Sequence, residues 1–254
     1  MKPTSVLVAC LLASVALGGC SRERSANVDS QPTPITAGTV ARGMQIGSMG
    51  NVDVSGDKAV LVVAGNERVK RPIVHLHGMC GAAKDDLDAF GAAVAKEHGT
   101  IIAVTGDVPC NDQPGLFQWS QDAEKLDARI SAAIDAVNAA RSLSLDKSDV
   151  VVIGESMGAA RAESLAAKKP ERYGRLVLVG SPQSPSPQNL GKVKAVANVA
   201  AEKEPQGTMK NGAKALAAAG LASQFWELPG ATHGEYGPDG GRVMAEAVAF
   251  VAAK

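Results

Sequence analysis

Short apolar runs alternate with stretches of helical periodicity along most of the chain. The first two runs, NVDV and AVLVVA, flank the polar residues SGDK and predict an antiparallel hairpin. The later runs are mostly continuous in Val, Ile and Leu, which is typical of strands buried on both faces. They are RPIVHLHG, TIIAVTG, DVVVIG, RLVLVGS, KVKAVANVA and SQFWELPG.

Amphipathic segments separate these predicted strands. The longest is SQDAEKLDARISAAIDAVNAARSL, in which Leu126, Ile130, Ile134 and Val137 fall on one stripe. Other helices are predicted for KDDLDAFGAAVAKEHG, 157–169, GTMKNGAKALAAAG and GRVMAEAVAFVAA. The alternation predicts an α/β fold: a mostly parallel sheet of about eight strands, helices on both faces and an antiparallel N-terminal edge. Sites in such sheets form at the carboxyl ends of the strands.

The N-terminal residues have a different pattern. Lys2 precedes an apolar run at 6–17, which is too short to cross a bilayer as a helix and is typical of a signal peptide. The sequence LGGC at 17–20 resembles the lipobox of bacterial lipoproteins, which implies cleavage before Cys20 and attachment of lipid to its sulfur. An ordinary signal peptide with a chance cysteine is the alternative. By resemblance to Gram-negative sorting patterns, Ser21 permits transfer to the outer membrane.

We therefore divide the chain into a signal peptide at 1–19, a polar, proline-bearing tether at 20–37 and a single domain at 38–254. The expected location is the bacterial cell envelope, with the lipid anchored in a membrane, such as the outer membrane on its periplasmic or surface face. Lys+Arg 26 balances Asp+Glu 26 without a basic run, so no nucleic-acid partner is expected.

This division predicts the chemical state of each of the four cysteines. Cys10 leaves with the signal peptide and Cys20 would carry lipid, so Cys80 and Cys110 remain in a compartment that oxidises thiols. We expect them to form a disulfide; two free buried thiols are the alternative. No Cys/His cluster has the spacing of zinc ligands, and we expect neither a metal nor a cofactor.

Candidate chemistry begins with GESMG at 154–158, between a predicted strand and a predicted helix. Such a corner holds Ser156 in a strained conformation above the sheet, and its glycines avoid clashes with the neighbouring helix and strand. A glycine-rich turn with an idle serine is the alternative. A serine hydroxyl also needs an adjacent base to act as a nucleophile.

The histidines supply candidates for that base. His75 lies within a strand and is expected to be a buried structural residue, and His98 ends a helix as a surface cap. His77 opens HGMCG. His233 follows the last strand in LPGATHGEY, a position that suits a general base, although a solvated loop histidine would give the same pattern.

From about Asn51 to its end, the chain resembles the α/β-hydrolase family, including its serine esterases, lipases and dienelactone hydrolases. HGMCG resembles the family's oxyanion loop, GESMG its nucleophile elbow and GATHGEY its histidine loop. The resemblance implies an oxyanion loop that contains His77, Gly78 and Gly81. It also implies that the backbone N–H groups of Met79 and Met157 form the oxyanion hole.

The resemblance implies the chain order serine, acid, histidine, and it places the acid in the loop AEKEPQG. Glu204 precedes Pro205 and matches best, with Glu202 as the second candidate. Glu235 and Asp239 would need an unusual geometry. The implied mechanism is attack by Ser156 on an acyl carbonyl, proton transfer through His233 and orientation of the imidazole by Glu204.

The expected function is that of a carboxylesterase-like serine hydrolase acting on a small-molecule ester. The short loop SPQSPSPQNLG leaves little room for a lid, and Phe117 and Trp119 could either line the substrate pocket or belong to the core. A serine peptidase of the prolyl-oligopeptidase type is one alternative, although such enzymes usually carry a gating domain for which this chain has little room. A non-catalytic envelope lipoprotein with the same fold is another. A bond between Cys80 and Cys110 would fix the oxyanion loop.

Overall fold

The computed structural model describes residues 44–254. The predicted signal peptide at 1–19, the tether at 20–37, Cys20 and the start of the domain at 38 lie outside the described residues. Within the described part, no helix has the length and apolar character needed to cross a membrane.

The described chain contains ten strands. They are β1 (Met49–Val52), β2 (Val60–Val63), β3 (Ile73–Leu76), β4 (Ile101–Val104), β5 (Val108–Pro109), β6 (Phe117–Gln118), β7 (Val151–Glu155), β8 (Arg175–Val179), β9 (Ala195–Ala201) and β10 (Ala222–Leu228). Eight of them form one sheet in the order β1-β2-β4-β3-β7-β8-β9-β10, and β5 pairs with β6 separately.

The described chain also contains six helices. They are α1 (Ala83–His98), α2 (Ala123–Arg141), α3 (Met157–Lys168), α4 (Pro187–Leu190), α5 (Gly207–Ala218) and α6 (Gly240–Ala252).

The sheet is parallel except at one edge. β1 pairs antiparallel with β2, and β2 pairs antiparallel with β4, whereas the pairs from β4 through β10 are parallel. This confirms the predicted mostly parallel sheet with an antiparallel N-terminal edge. The sequence did not predict β5, β6 or α4, because segments of two to four residues are too short to show a periodicity.

Two apolar layers cover the sheet. Successive strand residues point to opposite faces, so Val62 belongs to the layer that includes α2, α3 and α5, while Val63 belongs to the layer that includes α1 and α6. The predicted stripe on α2 is buried in the first layer. Because the strands from β3 to β10 in the sheet run parallel, the loops that follow β3, β7, β8, β9 and β10 all emerge at one edge.

Candidate active site

Ser156 occupies a sharp corner between β7 and α3. Its φ of 49° and ψ of −113° are strained for a residue with a side chain. The flanking glycines make the corner possible: a Cβ on Gly154 would lie 2.5 Å from the Gly158 carbonyl oxygen, and one on Gly158 would lie 2.0 Å from that of Leu76. The corner therefore holds the hydroxyl at the carboxyl edge of the sheet.

His233 connects Ser156 to a carboxylate. Its Nε2 lies 3.0 Å from the Ser156 Oγ, and its Nδ1 lies 2.5 Å from Oε2 of Glu204. The other carboxylate oxygen of Glu204 accepts a hydrogen bond of 2.8 Å from the Ala201 N–H at the end of β9. When Nδ1–H donates to Glu204, Nε2 is left to accept the Ser156 proton. The structure thus brings together the three residues that the resemblance assigned to the triad.

The remaining acidic candidates have other contacts. Oε2 of Glu202 accepts a hydrogen bond of 2.6 Å from the Gly230 N–H, which supports the loop that carries His233. Glu235 accepts a hydrogen bond of 3.0 Å from the Thr232 N–H, and Asp239 lies 3.1 Å from a guanidinium nitrogen of Arg242. Of these acids, the geometry favours Glu204 as the partner of His233.

Gly180 packs against this pair and was not found by the sequence analysis. It follows β8 with φ of 55°, and a Cβ there would lie 2.9 Å from Cε1 of His233 and 3.3 Å from Oε1 of Glu204. A side chain at this position would displace the imidazole, so glycine is required both by the backbone angle and by the lack of space.

The loop after β3 lies on the other side of Ser156. The N–H groups of Met79 and Met157 have no hydrogen-bond acceptor among the described residues, so both are available to a ligand. Cys80 in this loop has φ of 53° and forms a disulfide with Cys110, which confirms the predicted pair.

His77 fixes the loop after β3 through hydrogen bonds of its side chain. Its Nε2 lies 2.9 Å from the Gly106 backbone N, whose N–H donates to it, and Nδ1 lies 2.7 Å from the Gly78 carbonyl oxygen, to which Nδ1–H donates. Burial lowers the pKa of His77, which keeps this neutral tautomer. The indole N–H of Trp119 donates to the His77 carbonyl oxygen at 2.7 Å. These bonds make His77 and Trp119 supports of the oxyanion loop.

The two aromatic candidates lie away from Ser156. Trp119 is only 5% exposed and packs in the core beneath α2, with its ring 4.8 Å from that of His77. Phe117 is half-buried, pairs with Gly81 in an isolated bridge and lines a separate cavity. Neither ring lines the cavity beside Ser156.

Two other histidines lie outside the triad. His75 is fully buried, as expected, with Nε2 3.2 Å from Oδ2 of Asp86. His98 ends α1 and is half-buried, with Nε2 3.8 Å from a carboxylate oxygen of Glu97, so it is less exposed than a surface cap.

A cleft of about 340 Å³ lies beside Ser156 and His233, and we call it the Ser156 cavity. Met79, Asp86 and Glu155 also line it. Burial raises the pKa of Glu155 to about 7, and repulsion from Asp86 adds to that effect. Sequence reasoning did not single out Glu155, since the pattern G-x-S-x-G leaves this position open.

Comparisons with known proteins identify the fold of the chain. No protein-family model matches the sequence, and no curated protein sequence matches it. The structure is similar to that of TT1662 from Thermus thermophilus, with a TM-score of 0.57 and 16% identity over 83% of this chain and 100% of that one. It is also similar to esterase PE8 (TM-score 0.57, 16% identity, 75% and 97%) and to the Bacillus cereus carboxylesterase (TM-score 0.54, 19% identity, 79% and 96%). The chain has the α/β-hydrolase fold.

Proposed function

We propose that this protein is a serine hydrolase that cleaves carboxylic esters through an acyl-enzyme on Ser156. The observation that supports the proposal is the hydrogen-bonded series from the Ser156 hydroxyl through His233 to Glu204 at the carboxyl edge of the sheet. A nucleophile, a base and an orienting carboxylate in contact are the parts that acyl transfer requires.

The first half of the reaction forms the acyl-enzyme. As the Ser156 Oγ attacks the ester carbonyl carbon, Nε2 of His233 takes the hydroxyl proton, and Glu204 stabilises the imidazolium. The carbonyl oxygen becomes negative and accepts hydrogen bonds from the free N–H groups of Met79 and Met157. The C–O bond to the alcohol then breaks, and the alcohol leaves with the proton from His233.

The second half releases the acid. A water molecule gives its proton to Nε2 of His233 and attacks the acyl carbon, which again passes through an oxyanion. The bond to Oγ breaks, His233 returns the proton to Ser156, and the carboxylic acid leaves. The enzyme is regenerated, and the net reaction consumes one ester and one water.

Two observations favour an ester substrate. The His233 side chain is 50% exposed, and the segment 181–194 between β8 and β9 holds only the short helix α4, so no large lid covers the site there. Structures with this fold include proteins named as an esterase and as a carboxylesterase. An open cleft suits small, soluble esters better than emulsified fat.

Labelling with a fluorophosphonate probe tests the proposal directly. The full-length chain and its Ser156→Ala variant should be treated side by side, with labelling expected only in the wild type. A panel of short esters and peptide amides then separates esterase from peptidase activity. A folded wild-type protein that takes no label would contradict an activated serine and would favour the alternative of a non-catalytic binding protein.

We also propose that the chain is a lipoprotein of the bacterial envelope, held to the membrane through Cys20. The proposal rests on LGGC at 17–20 and on the polar residues that follow it. Incorporation of a fatty-acid analogue into the wild type and its loss in Cys20→Ser would support the anchor. Equal partition of both proteins into the soluble fraction would contradict it.

A further inference from the structure

We propose that the edge of the sheet opposite Ser156 docks on anionic phospholipid headgroups, so that the Ser156 cavity opens away from the membrane. The inference goes beyond the proposed hydrolysis and does not depend on it. It takes from the proposed lipid anchor only the expectation that a membrane lies nearby.

Charge is distributed unevenly between the two edges of the sheet. The connections from β3, β4, β8, β9 and β10 to the next helix lie at the carboxyl edge with Ser156, and they contain seven acidic residues and one basic residue. The connections that lead into β3, β7, β8 and β9 lie at the amino edge, and they contain eight basic and four acidic residues. Because Lys+Arg 26 equals Asp+Glu 26 in the whole chain, this is a separation of charge along the strands.

We call the eight basic residues at the amino edge the basic edge. They are Arg68, Lys70, Arg71, Lys147, Lys169, Arg172, Lys192 and Lys194. The acidic residues of the same connections are Glu67, Asp146, Asp149 and Glu171.

Part of the basic edge has no acidic partner. Lys147 pairs with Asp135, and both Lys169 and Arg172 pair with Asp127 on α2. In contrast, Arg68, Lys70 and Lys192 are exposed and form no ion pair with another described residue. Their charges are therefore available to an anionic partner.

The centre of the basic edge has one carboxylate for three cations. Oδ2 of Asp149 lies 2.8 Å from Nη2 of Arg71, and Oδ1 lies 3.3 Å from Nζ of Lys194. The guanidinium group of Arg175 pairs with the same carboxylate, is only 5% exposed and has an Nε without an acceptor among the described residues. A single carboxylate leaves an excess of positive charge here, which a phosphate group at the surface would compensate.

The described chain begins at the same edge. The Gly47 N–H donates a hydrogen bond of 2.7 Å to the Ala64 carbonyl oxygen, directly after β2. Val63 at the end of β2 lies opposite Ile101, which is the first residue of β4, so this point belongs to the amino edge. The segment that would carry lipid on Cys20 therefore joins the domain next to the basic edge.

This arrangement favours one orientation on a membrane. Basic residues close to a lipid anchor strengthen its binding to a leaflet that contains anionic phospholipid. The same leaflet would repel the acidic connections at the carboxyl edge. The domain would thus take its ester substrate from the aqueous compartment and not from the bilayer.

Sedimentation with vesicles tests the docking surface without the lipid anchor. The full-length Cys20→Ser chain is mixed with vesicles of phosphatidylcholine alone or of equal parts of phosphatidylcholine and phosphatidylglycerol. The apolar run at 6–17 remains in the chain, so binding to the neutral vesicles measures its contribution. We expect a preference for the anionic vesicles that disappears at about 1 M salt, where the Debye length is only about 3 Å.

Charge reversal locates the contact. Arg68→Glu/Lys192→Glu changes two exposed residues of the basic edge, and it should lower partition onto the anionic vesicles by roughly ten- to a hundredfold. Lys203→Glu/Lys210→Glu is the matched control, because it changes the net charge equally at two exposed lysines of the loop after β9 and the first turn of α5. It should change partition by less than about threefold, since these side chains would face away from the vesicle.

Amide hydrogen exchange of the bound Cys20→Ser chain reads the orientation directly. On the anionic vesicles we expect slower exchange in 66–71 and 191–194, and unchanged exchange in 78–82 and 231–235 around Ser156. Slower exchange in the segments around Ser156 instead would overturn the proposed orientation.

The remaining outcomes are equally decisive. Equal binding to both kinds of vesicle, or a preference for anionic vesicles that survives Arg68→Glu/Lys192→Glu, would overturn the docking surface. Displacement from the vesicles by soluble polyphosphate at an equal concentration of phosphate would assign the basic edge to a soluble polyanion and overturn the membrane as its partner. The assay uses neither an ester nor a lipidated chain, so failure of the docking surface is distinguishable from failure of the proposed hydrolase or of the proposed anchor.

Discussion

Gly180 lies so close to His233 that a Cβ on the glycine would approach Nδ1 of the imidazole to 3.0 Å. The close contact comes from two different loops, one after β8 and one after β10. The imidazole therefore packs against Gly180 while its two nitrogens contact Glu204 and Ser156. The position of the candidate base therefore depends on a residue with no side chain.

Gly180→Ala is expected to reduce kcat strongly. The added methyl group would displace the imidazole from its position between Ser156 and Glu204, and a misplacement of about 1 Å in an active site can cost roughly a hundredfold in rate. Gly220→Ala is the control, because Gly220 also has a positive φ, of 84°, but nothing lies within 4 Å of its Cβ position. Both variants should lose about 1 kcal/mol of stability, whereas only Gly180→Ala should lose activity. Equal losses of activity would show that backbone strain, not contact with His233, is responsible.

Glu204→Gln should lower kcat by about a hundred- to ten-thousandfold, because a neutral amide no longer fixes the imidazole tautomer or stabilises the imidazolium. Glu202→Gln changes only the acceptor of the hydrogen bond from the Gly230 N–H, and it should lower kcat by less than about tenfold. Steady-state kinetics on one short ester would compare the two variants. The reverse order of effects would identify Glu202 as the acid.

The fold could be predicted from the sequence because its signals are local. The stripe of Leu126, Ile130 and Ile134 places α2 on the sheet, and the continuous apolar runs indicate strands buried on both sides. Very short elements, such as β5 and β6, carry no such signal, since two residues cannot show a periodicity.

The site could be predicted only in part. Ser156 and His233 stand out because they occur in glycine-containing loops at strand ends, and Glu204 stands out because it precedes a proline. Glu155 and Gly180 belong to the site because both lie close to His233, which comes from another loop. A local sequence pattern does not reveal such contacts. The choice between pocket and core for Trp119 likewise depended on its hydrogen bond to His77.

The disulfide is expected to serve both stability and turnover. It closes a loop with a sequence separation of 30 residues and joins the strained Cys80 to Cys110. Replacing both cysteines by serine should lower the free energy of unfolding by roughly 2–4 kcal/mol. It should also lower kcat, because the N–H group of Met79 lies in the loop that the disulfide holds. The loss of one oxyanion donor lowers kcat by about a hundred- to a thousandfold, which sets the upper limit of the effect.

The double variant Cys80→Ser/Cys110→Ser should be assayed well below its own Tm, so that unfolding does not contribute to the loss. Full wild-type turnover of that folded variant would contradict the link between the disulfide and the oxyanion loop. A lower Tm with unchanged kcat would leave the bond with a structural role only.

Stability should fall as the pH rises from about 4.5 to about 7, through the two buried acids Glu155 and Glu163. Burial raises the pKa of each carboxyl from 4.5 to about 7, so the folded protein binds more protons than the unfolded chain in this window. The stabilising contribution is complete below pH 4.5 and is lost as the pH passes 7. Each group changes the free energy of unfolding by about 3 kcal/mol across this window.

Denaturant unfolding of the wild type and of Glu155→Gln/Glu163→Gln across this pH range tests the effect. The difference between the two proteins isolates the two acids, because every other ionisable group is the same in both. The charged groups that face Glu155 are Asp86 from α1, His75 from β3, and His233 and Glu204 from the loops, and all of them remain in the variant. We expect a flatter curve for the variant, which should gain stability relative to the wild type above pH 7. Parallel curves would mean that both carboxyls titrate at their ordinary pKa, as solvated side chains do.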